Sequence, residues 1–229
     1  MYRTMIVLLT VGLSGCETDE SGEKSEIPDG ATIIAIGDSV MEWNAEKGAS
    51  IPDVIGEKLN RVVYNAAVSG ALFVDGDAPD DSIAAQYVDG DWEWLVLDGG
   101  GNDVNEECGC GQCDEVLDGI ISTDAAAGAL PGLVDQAVAS GVRVVLLGYY
   151  EIPPTGEYGF ADCNPIIEQL SSRLAALAET SDDVLFVDGR DVFDSSELEN
   201  YDDDHVHPSE LGSERIGQAI AERILAAEQ

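Results

Sequence analysis

Five short apolar runs constrain the fold of this chain more than any other feature of its sequence. They are residues 31–36, 61–66, 94–98, 142–147 and 184–187. Each run has the length of a β-strand and lacks the polar–apolar alternation of a strand with one solvent-facing side. Segments with helical patterns separate the runs, which indicates a sheet covered by helices on both faces. We therefore predict an α/β fold with a five-stranded parallel sheet.

The segments between these runs carry helix signals. Pro52 lies in the first turn of an apolar pattern with helical spacing, where proline is well tolerated. Gly141 marks the end of another helix, and Ser209 is a good N-terminal cap for the last one. The predicted helices are residues 51–59, 80–87, 124–140, 164–180 and 209–227. We predict loops for the cysteine-containing segment before residue 124 and for residues 149–163.

Glycines follow three of the predicted strands. Gly37 precedes Asp38 and Ser39 after the first strand, Gly70 comes after the second, and Gly99 follows the third. The carboxyl ends of parallel strands share one edge of a sheet, so these turns are expected to lie together. That edge is where ligands bind in folds of this kind.

One set of residues supplies every group that acyl transfer needs: a nucleophile, a base, a group that orients the base, and donors for an oxyanion. Ser39 is the candidate nucleophile, at the predicted start of a helix. His207 is the candidate base, and Asp204 would fix its tautomer and stabilise the imidazolium. The candidate oxyanion donors are the backbone N–H groups of Ser39 and Gly70 and the side-chain amide of Asn102.

Two alternatives concern the segment that contains the candidate base. Asp202-x-x-His205 has the same spacing as Asp204-x-x-His207, so His205 is a competing base. We favour His207, because a proline and the cap of the last helix follow it directly and fix where the loop ends. The acidic run in this segment also suggests a calcium site, but such runs are more often solvated loops. We predict neither a metal nor a cofactor.

Four blocks of the chain resemble those of the SGNH, or GDSL-type, hydrolases. They are Gly37-Asp38-Ser39, Gly70, Gly100-Gly101-Asn102-Asp103 and Asp204-x-x-His207-Pro208. The resemblance covers nearly all of residues 31–229, and it implies a flavodoxin-like three-layer α/β/α sandwich and ester or thioester hydrolysis through an acyl-serine. One small departure is Val40, where many members have leucine. Met41 takes the second glycine position of G-x-S-x-G, which distinguishes the chain from ordinary α/β-hydrolases.

The resemblance leaves the substrate open. A short-acyl esterase or carbohydrate O-deacetylase is the leading interpretation, and a lysophospholipase or acyl thioesterase is the alternative. A non-catalytic, envelope-binding lipoprotein with the same fold is a third. Five aromatic residues are candidates for lining a substrate pocket, although core packing explains Tyr149 equally well. They are Trp43, Tyr149, Tyr150, Tyr158 and Phe160.

The first thirty residues are predicted to lie outside the catalytic domain. Residues 1–15 have the short apolar stretch of a bacterial signal peptide, too short to span a bilayer. The sequence Leu13-Ser14-Gly15-Cys16 resembles a lipobox, which implies lipidation of Cys16. Residues 16–30 then form a flexible tether to a domain at residues 31–229. We expect a monomer anchored by lipid in the bacterial cell envelope and facing the periplasm, or a secreted protein if the lipobox is not used.

The remaining cysteines form an even set. Cys108, Cys110, Cys113 and Cys163 indicate two disulfides in an exported chain, with three possible connectivities. A four-cysteine zinc site is the alternative. The spacing of the first three cysteines does not match a paired C-x-x-C zinc knuckle.

Charge excludes one class of partner. The chain has 46 acidic and only 10 basic residues, which gives a net charge of −36. Binding to nucleic acid needs clustered lysine and arginine, so we exclude it. The expected partners are a small-molecule or glycan ester and, through the lipid anchor only, a membrane.

Overall fold

The computed structural model describes residues 26–73 and 82–229 and contains a five-stranded, all-parallel sheet. Its strands are β1 Ala31–Ile36, β2 Val62–Asn65, β3 Trp94–Leu97, β4 Arg143–Gly148 and β5 Val184–Asp188. They lie in the order β2-β1-β3-β4-β5, which is the order of flavodoxin-like folds. The predicted parallel sheet is confirmed, and each predicted strand end is within one residue of the observed one.

Helices cover both faces of the sheet. They are α1 Ser39–Glu42, α2 Ile51–Leu59, α3 Ile83–Gln86, α4 Gly101–Glu106, α5 Asp114–Ile120, α6 Ala129–Ala139, α7 Asn164–Ala178 and α8 Glu210–Ala227. Helices α2 and α8 pack against each other on one side, and α6 and α7 pack on the other. The result is the expected three-layer arrangement.

Burial on both faces explains the absence of alternation in the strands. In β1, the side chains of Ile33, Ile34, Ala35 and Ile36 are all fully buried. Neighbouring side chains of a strand point to opposite faces, so a run of this kind requires apolar cover on both sides. The helical layers supply that cover.

Two helix predictions are wrong in part. The helix predicted over residues 124–140 begins only at Ala129, because Ser122 closes a turn with Ala127 through two hydrogen bonds. Gly128 then has a φ of +122°, which a helix does not allow. The cysteine-containing segment predicted as a loop continues into helix α5, which buries Leu117 and Ile120.

A third helix prediction is tested only in part. Of the helix predicted over residues 80–87, the structure describes Ile83–Gln86, capped by Ser82. Residues 80 and 81 lie outside the described residues.

Two disulfides pair the four cysteines in one of the three possible connectivities. Cys108 is bonded to Cys113, and Cys110 is bonded to Cys163. The structure therefore agrees with the two disulfides predicted from the sequence and not with the alternative four-cysteine zinc site. The second bond joins the segment after α4 to the residue that precedes α7, and both segments follow strands at the same edge of the sheet.

The predicted signal peptide and the lipidation site Cys16 lie outside the described residues, as does most of the tether. Within residues 26–73 and 82–229, the structure contains no helix that is both long and apolar enough to cross a membrane.

The strand order positions the candidate site. The chain leaves β1 towards β2 on one side and later returns to place β3 on the other. Crevices form at such a switch point, outside the carboxyl ends of the strands. Ser39 begins the helix that follows β1, and Asn102 lies in the first turn of the helix that follows β3. Both residues therefore lie at this crevice.

Candidate active site

Three side chains form a hydrogen-bonded chain at the crevice. Nε2 of His207 lies 2.8 Å from Oγ of Ser39, and Nδ1 of the same ring lies 2.6 Å from Oδ2 of Asp204. The side chains of His207 and Asp204 are each 13% exposed. The fold thus brings together a serine and a histidine that are 168 residues apart. This geometry allows the histidine to accept the serine proton.

Backbone amides hold the Asp204 carboxylate in place. Its Oδ1 accepts hydrogen bonds from the N–H groups of Val206 and His207, at 2.8 and 2.9 Å. Burial opposes ionisation of Asp204, but the hydrogen bonds from the His207 ring and from the two amides outweigh it and lower its pKa. Asp204 is therefore a carboxylate that orients the His207 ring.

The second histidine lies in a different environment. Nδ1 of His205 lies 2.8 Å from Oγ1 of Thr155, and the residue has a left-handed φ of +54°. The structure brings His207, and not His205, into contact with Ser39.

A tight turn presents Ser39 at the first position of helix α1. Asp38 caps this helix by accepting a hydrogen bond from the N–H of Val40 at 2.9 Å. Gly37 has a φ of +152°, and a Cβ at this position would collide with the Asp98 side chain. A glycine is therefore required at position 37, because the residues that follow β1 and β3 lie too close together there for a Cβ atom.

The predicted oxyanion donors are available for a ligand. Within the described residues, the backbone N–H groups of Ser39 and Gly70 donate no hydrogen bond. Nδ2 of Asn102 donates to the carbonyl oxygen of Ala71 at 3.2 Å, which leaves one of its two N–H bonds free. That bond ties Asn102 to the residue after Gly70. Gly70 itself is exposed and does not line the cavity beside Ser39.

A small, mostly apolar cavity opens beside Ser39 and His207. The space that the centre of a water molecule can reach in it is about 30 Å³. Its apolar lining consists of Val40, Tyr150, Ile152, Phe160, Ile167 and Val206. Of the five aromatic candidates, Tyr149, Tyr150 and Phe160 line this cavity, whereas Trp43 and Tyr158 do not. Tyr158 is 64% exposed.

A buried acidic network lies beneath Ser39, and the sequence patterns did not predict it. Oη of Tyr149 donates to Oδ2 of Asp38 at 2.5 Å and accepts from the N–H of Gly101 at 3.0 Å. Oδ1 of Asp98 accepts from the N–H of Asp38 at 3.2 Å. The only sequence feature that points to this network is Asp98, a carboxyl residue at the end of the third apolar run.

The two buried carboxyl groups of this network differ in their surroundings. Burial, followed by the nearby Asp38, raises the pKa of Asp98 well above its usual range. Burial also raises the pKa of Asp38, although hydrogen bonds from Tyr149 and Val40 favour its ionised form. Among the described residues, Oδ2 of Asp98 has no hydrogen-bond partner. We therefore assign the proton of the pair to Asp98.

Trp43 contacts the candidate base and not the cavity. Its indole ring is stacked on the His207 imidazole, with ring centroids 3.8 Å apart and planes inclined by 6°. Its Nε1 donates to Oδ2 of Asp202 at 2.8 Å. Two carboxylates of the acidic run therefore have partners in the site: Asp202 is hydrogen-bonded to Trp43, and Asp204 is hydrogen-bonded to His207. Across the described part of the chain, no group of three or more His, Cys, Asp or Glu side chains is arranged to hold a metal ion.

Comparison with known proteins identifies the family. The model of the GDSL-like lipase/acylhydrolase family matches residues 35–215, which include every candidate catalytic and oxyanion residue. No curated protein is significantly similar to the chain.

Solved structures share the fold at low sequence identity. A variant of an acetyl-xylooligosaccharide esterase from Geobacillus stearothermophilus is 22% identical, with a TM-score of 0.60 over 87% of this chain and 96% of that one. A lipolytic protein of the G-D-S-L family from Veillonella parvula is 16% identical, with a TM-score of 0.61 over 83% and 96%. A GDSL-like lipase from Bacteroides thetaiotaomicron is 18% identical, with a TM-score of 0.60 over 85% and 88%.

Proposed function

Because the chain belongs to the GDSL-like lipase/acylhydrolase family, whose members hydrolyse esters, we propose that it cleaves carboxylic esters of short acyl groups through an acyl-Ser39 intermediate. The observation that carries this proposal is the chain of hydrogen bonds from Asp204 through His207 to Ser39, next to a small apolar cavity. A nucleophile, a base and an acyl pocket therefore meet at one point.

The size of the cavity favours a short acyl group. A water molecule needs roughly 10–15 Å³ of such space, so the cavity of about 30 Å³ holds about two water molecules. An acetyl or propionyl group fits this volume, whereas a long acyl chain does not. The buried side chains of Tyr150 and Ile167 are part of its apolar lining. This is the argument against the lysophospholipase and thioesterase alternatives.

Acylation uses Ser39 and His207. Oγ of Ser39 attacks the ester carbonyl carbon while its proton moves to Nε2 of His207, and the carbonyl oxygen becomes an oxyanion. The C–O bond to the alcohol then breaks, and the leaving oxygen takes the proton from His207. Asp204 stabilises the imidazolium that exists between these two transfers.

Deacylation repeats the sequence with water. His207 takes a proton from a water molecule, whose oxygen attacks the acyl-Ser39 carbonyl carbon. The second tetrahedral intermediate releases the carboxylic acid, and the proton returns from His207 to Oγ of Ser39. In both halves the oxyanion accepts hydrogen bonds from Ser39, Gly70 and Asn102. Each such donor stabilises the transition state by roughly 3–4 kcal/mol.

A sugar is the alcohol that we favour. A second, open groove is lined by Trp43 together with the polar or charged side chains of Glu42, Asn44, Lys47 and Asp202. Its charged side chains suit the hydroxyl groups of a glycan better than an apolar chain. One structural neighbour acts on acetyl-xylooligosaccharide, so a fold of this kind accommodates the removal of acetyl groups from a glycan.

A panel of esters tests the acyl-length proposal. We expect kcat/KM to be highest for p-nitrophenyl acetate and to fall at least about tenfold between the butyrate and octanoate esters. Ser39→Ala is the control and should abolish both turnover and labelling by a fluorophosphonate probe. A preference for octanoate would favour the lysophospholipase alternative. If the wild type were not labelled, or were labelled as much as Ser39→Ala, the binding-lipoprotein alternative would replace the enzyme.

We also propose that the protein is a monomer held at the periplasmic face of the cell envelope by a lipid on Cys16. The support is the lipobox-like sequence that precedes this residue. Mass spectrometry of protein from the membrane fraction should find an acylated N-terminal Cys16, and Cys16→Ser should release the protein from that fraction. Unmodified protein in the medium would indicate secretion instead.

A further inference from the structure

Trp43 connects the two parts of the candidate site that are farthest apart in sequence. Its backbone N–H donates to the carbonyl oxygen of Ser39 at 2.8 Å, so Trp43 ends the helical turn that carries the nucleophile. Its indole N–H donates to Asp202, whose backbone N–H donates in turn to the carbonyl oxygen of His207 at 2.8 Å. The Trp43 side chain thus ties the serine turn to the histidine loop.

The indole also covers one face of the candidate base. The two rings are nearly parallel, with centroids 3.8 Å apart. A face-on aromatic ring attracts a cation, and tryptophan does so most strongly. In ester hydrolysis the His207 ring is cationic only between its two proton transfers. The stack therefore gains strength as the transition state is approached.

Asp202 strengthens this effect. The hydrogen bond from Trp43 is the main cause that lowers the pKa of Asp202, with a smaller contribution from Lys47. A carboxylate that accepts the indole N–H increases the electron density of the ring and so its attraction for a cation. Among the described residues, the charged groups near the His207 ring include Asp204 on its own loop, Asp38, whose charge interacts with the ring, and Asp202 beyond the indole.

We propose that Trp43, anchored by Asp202, is a positioning residue of the esterase site, which holds the His207 ring and stabilises its imidazolium form. Asp204 supports the ring through Nδ1, in the ring plane, whereas Trp43 supports it from above. The two supports contact different parts of the ring, one a ring nitrogen and the other a ring face, so neither replaces the other. The inference rests on the proposed function, because it assigns Trp43 a part in that reaction.

Substitution of Trp43 tests whether its stack on His207 contributes to kcat. Trp43→Leu should lower kcat for an acetyl ester about tenfold, equal to about 1.4 kcal/mol, because it removes an interaction made to the imidazolium. KM should stay within about twofold, since the stack does not contact the substrate. Trp43→Phe keeps an aromatic face, so it should lower kcat less than Trp43→Leu does. A wild-type kcat in folded Trp43→Leu would overturn the proposal.

A double-mutant cycle tests the role of Asp202. Asp202→Asn keeps an acceptor for the indole N–H but removes the charge, and it should lower kcat about threefold in the wild type. In the Trp43→Leu background the same substitution should have no effect, because Asp202 acts through the indole. An equal loss in both backgrounds would contradict the proposal. This arm remains informative if Trp43→Phe replaces a poorly folding Trp43→Leu.

Indole fluorescence tests the stack without any turnover. A stacked imidazole ring quenches indole emission, so His207→Gln should raise the tryptophan emission at a fixed pH. The increase should be absent when His207→Gln is made in Trp43→Phe, and it should persist in Trp92→Phe, a control that replaces a buried tryptophan outside the site. Persistence of the full effect in Trp43→Phe would sink the stacking argument. A wild type that shows the quenching but hydrolyses no ester would instead overturn the proposed function.

Discussion

The two histidines near the C-terminus share a loop but have different hydrogen-bond partners. The ring of His207 lies between Ser39 and Asp204, whereas that of His205 contacts Thr155. The same substitution at both positions separates their roles. We expect His207→Asn to lower kcat for an acetyl ester by roughly a thousandfold or more. His205→Asn should keep most of the activity, since asparagine tolerates the left-handed backbone there.

Thermal unfolding of both histidine variants provides the control. Similar midpoints for the two would show that the difference in kcat is chemical. If His205→Asn lost activity and His207→Asn kept it, the assignment of the base would be reversed.

The buried carboxyl group of Asp98 makes stability depend on pH. Burial holds its folded-state pKa well above its usual range, and above the value of about 3.9 in an unfolded chain. Between these two values the folded state binds more protons than the unfolded state, so the contribution of Asp98 to stability is lost as pH rises. We expect Asp98→Asn to gain stability relative to the wild type between about pH 5 and about pH 9.

Urea unfolding at the two pH values measures this difference. The matched control is Asp135→Asn, which removes one carboxylate from the exposed face of α6. An advantage of Asp98→Asn that is the same at both pH values would show that Asp98 is not protonated in the folded state.

Helix packing can be tested at two glycines that sit in helices of opposite layers. A Cβ at Gly217 of α8 would lie 2.6 Å from Cβ of Val54 in α2. A Cβ at Gly132 of α6 would meet no atom within 4 Å. Gly217→Ala should therefore lower the free energy of unfolding by about 1–3 kcal/mol, because α8 must move away from α2. Gly132→Ala should raise it by about 0.5–1 kcal/mol through better helix propensity.

Denaturant unfolding of both alanine variants checks these signs. A Gly217→Ala protein with the free energy of unfolding of the wild type would mean that α2 and α8 do not pack as closely as described. Any change in activity should come only from a change in the folded fraction, since neither glycine contacts the site.

At the scale of the whole molecule, the net charge of −36 dominates the response to salt. Repulsion between like charges destabilises a compact state. Salt between about 0.1 M and about 1 M shortens the screening length from about 10 Å to about 3 Å. We therefore expect the urea midpoint to rise with sodium chloride over this range. A neutral sugar at equal osmolality is the control, and a midpoint that falls with salt would contradict the expectation.

Much of the fold could be predicted because its signals are local. A strand buried on both faces lacks alternation, and this is visible in a run of six residues such as Ala31–Ile36. Helix α5 was missed because it is short and acidic and contains a glycine. The start of α6 was misplaced because the turn before it depends on Ser122, whose side-chain contact no periodicity reveals.

The sequence by itself determined the parallel sheet and the residues that gather at its carboxyl edge, because both follow from the order of residues along single strands and turns. Only the tertiary structure decided the cysteine pairing, the size of the acyl cavity, the burial of Asp98 beside Asp38, and the stack of Trp43 on His207. Each of these depends on a distance through space between segments far apart in the chain. Such distances are set by how the layers pack.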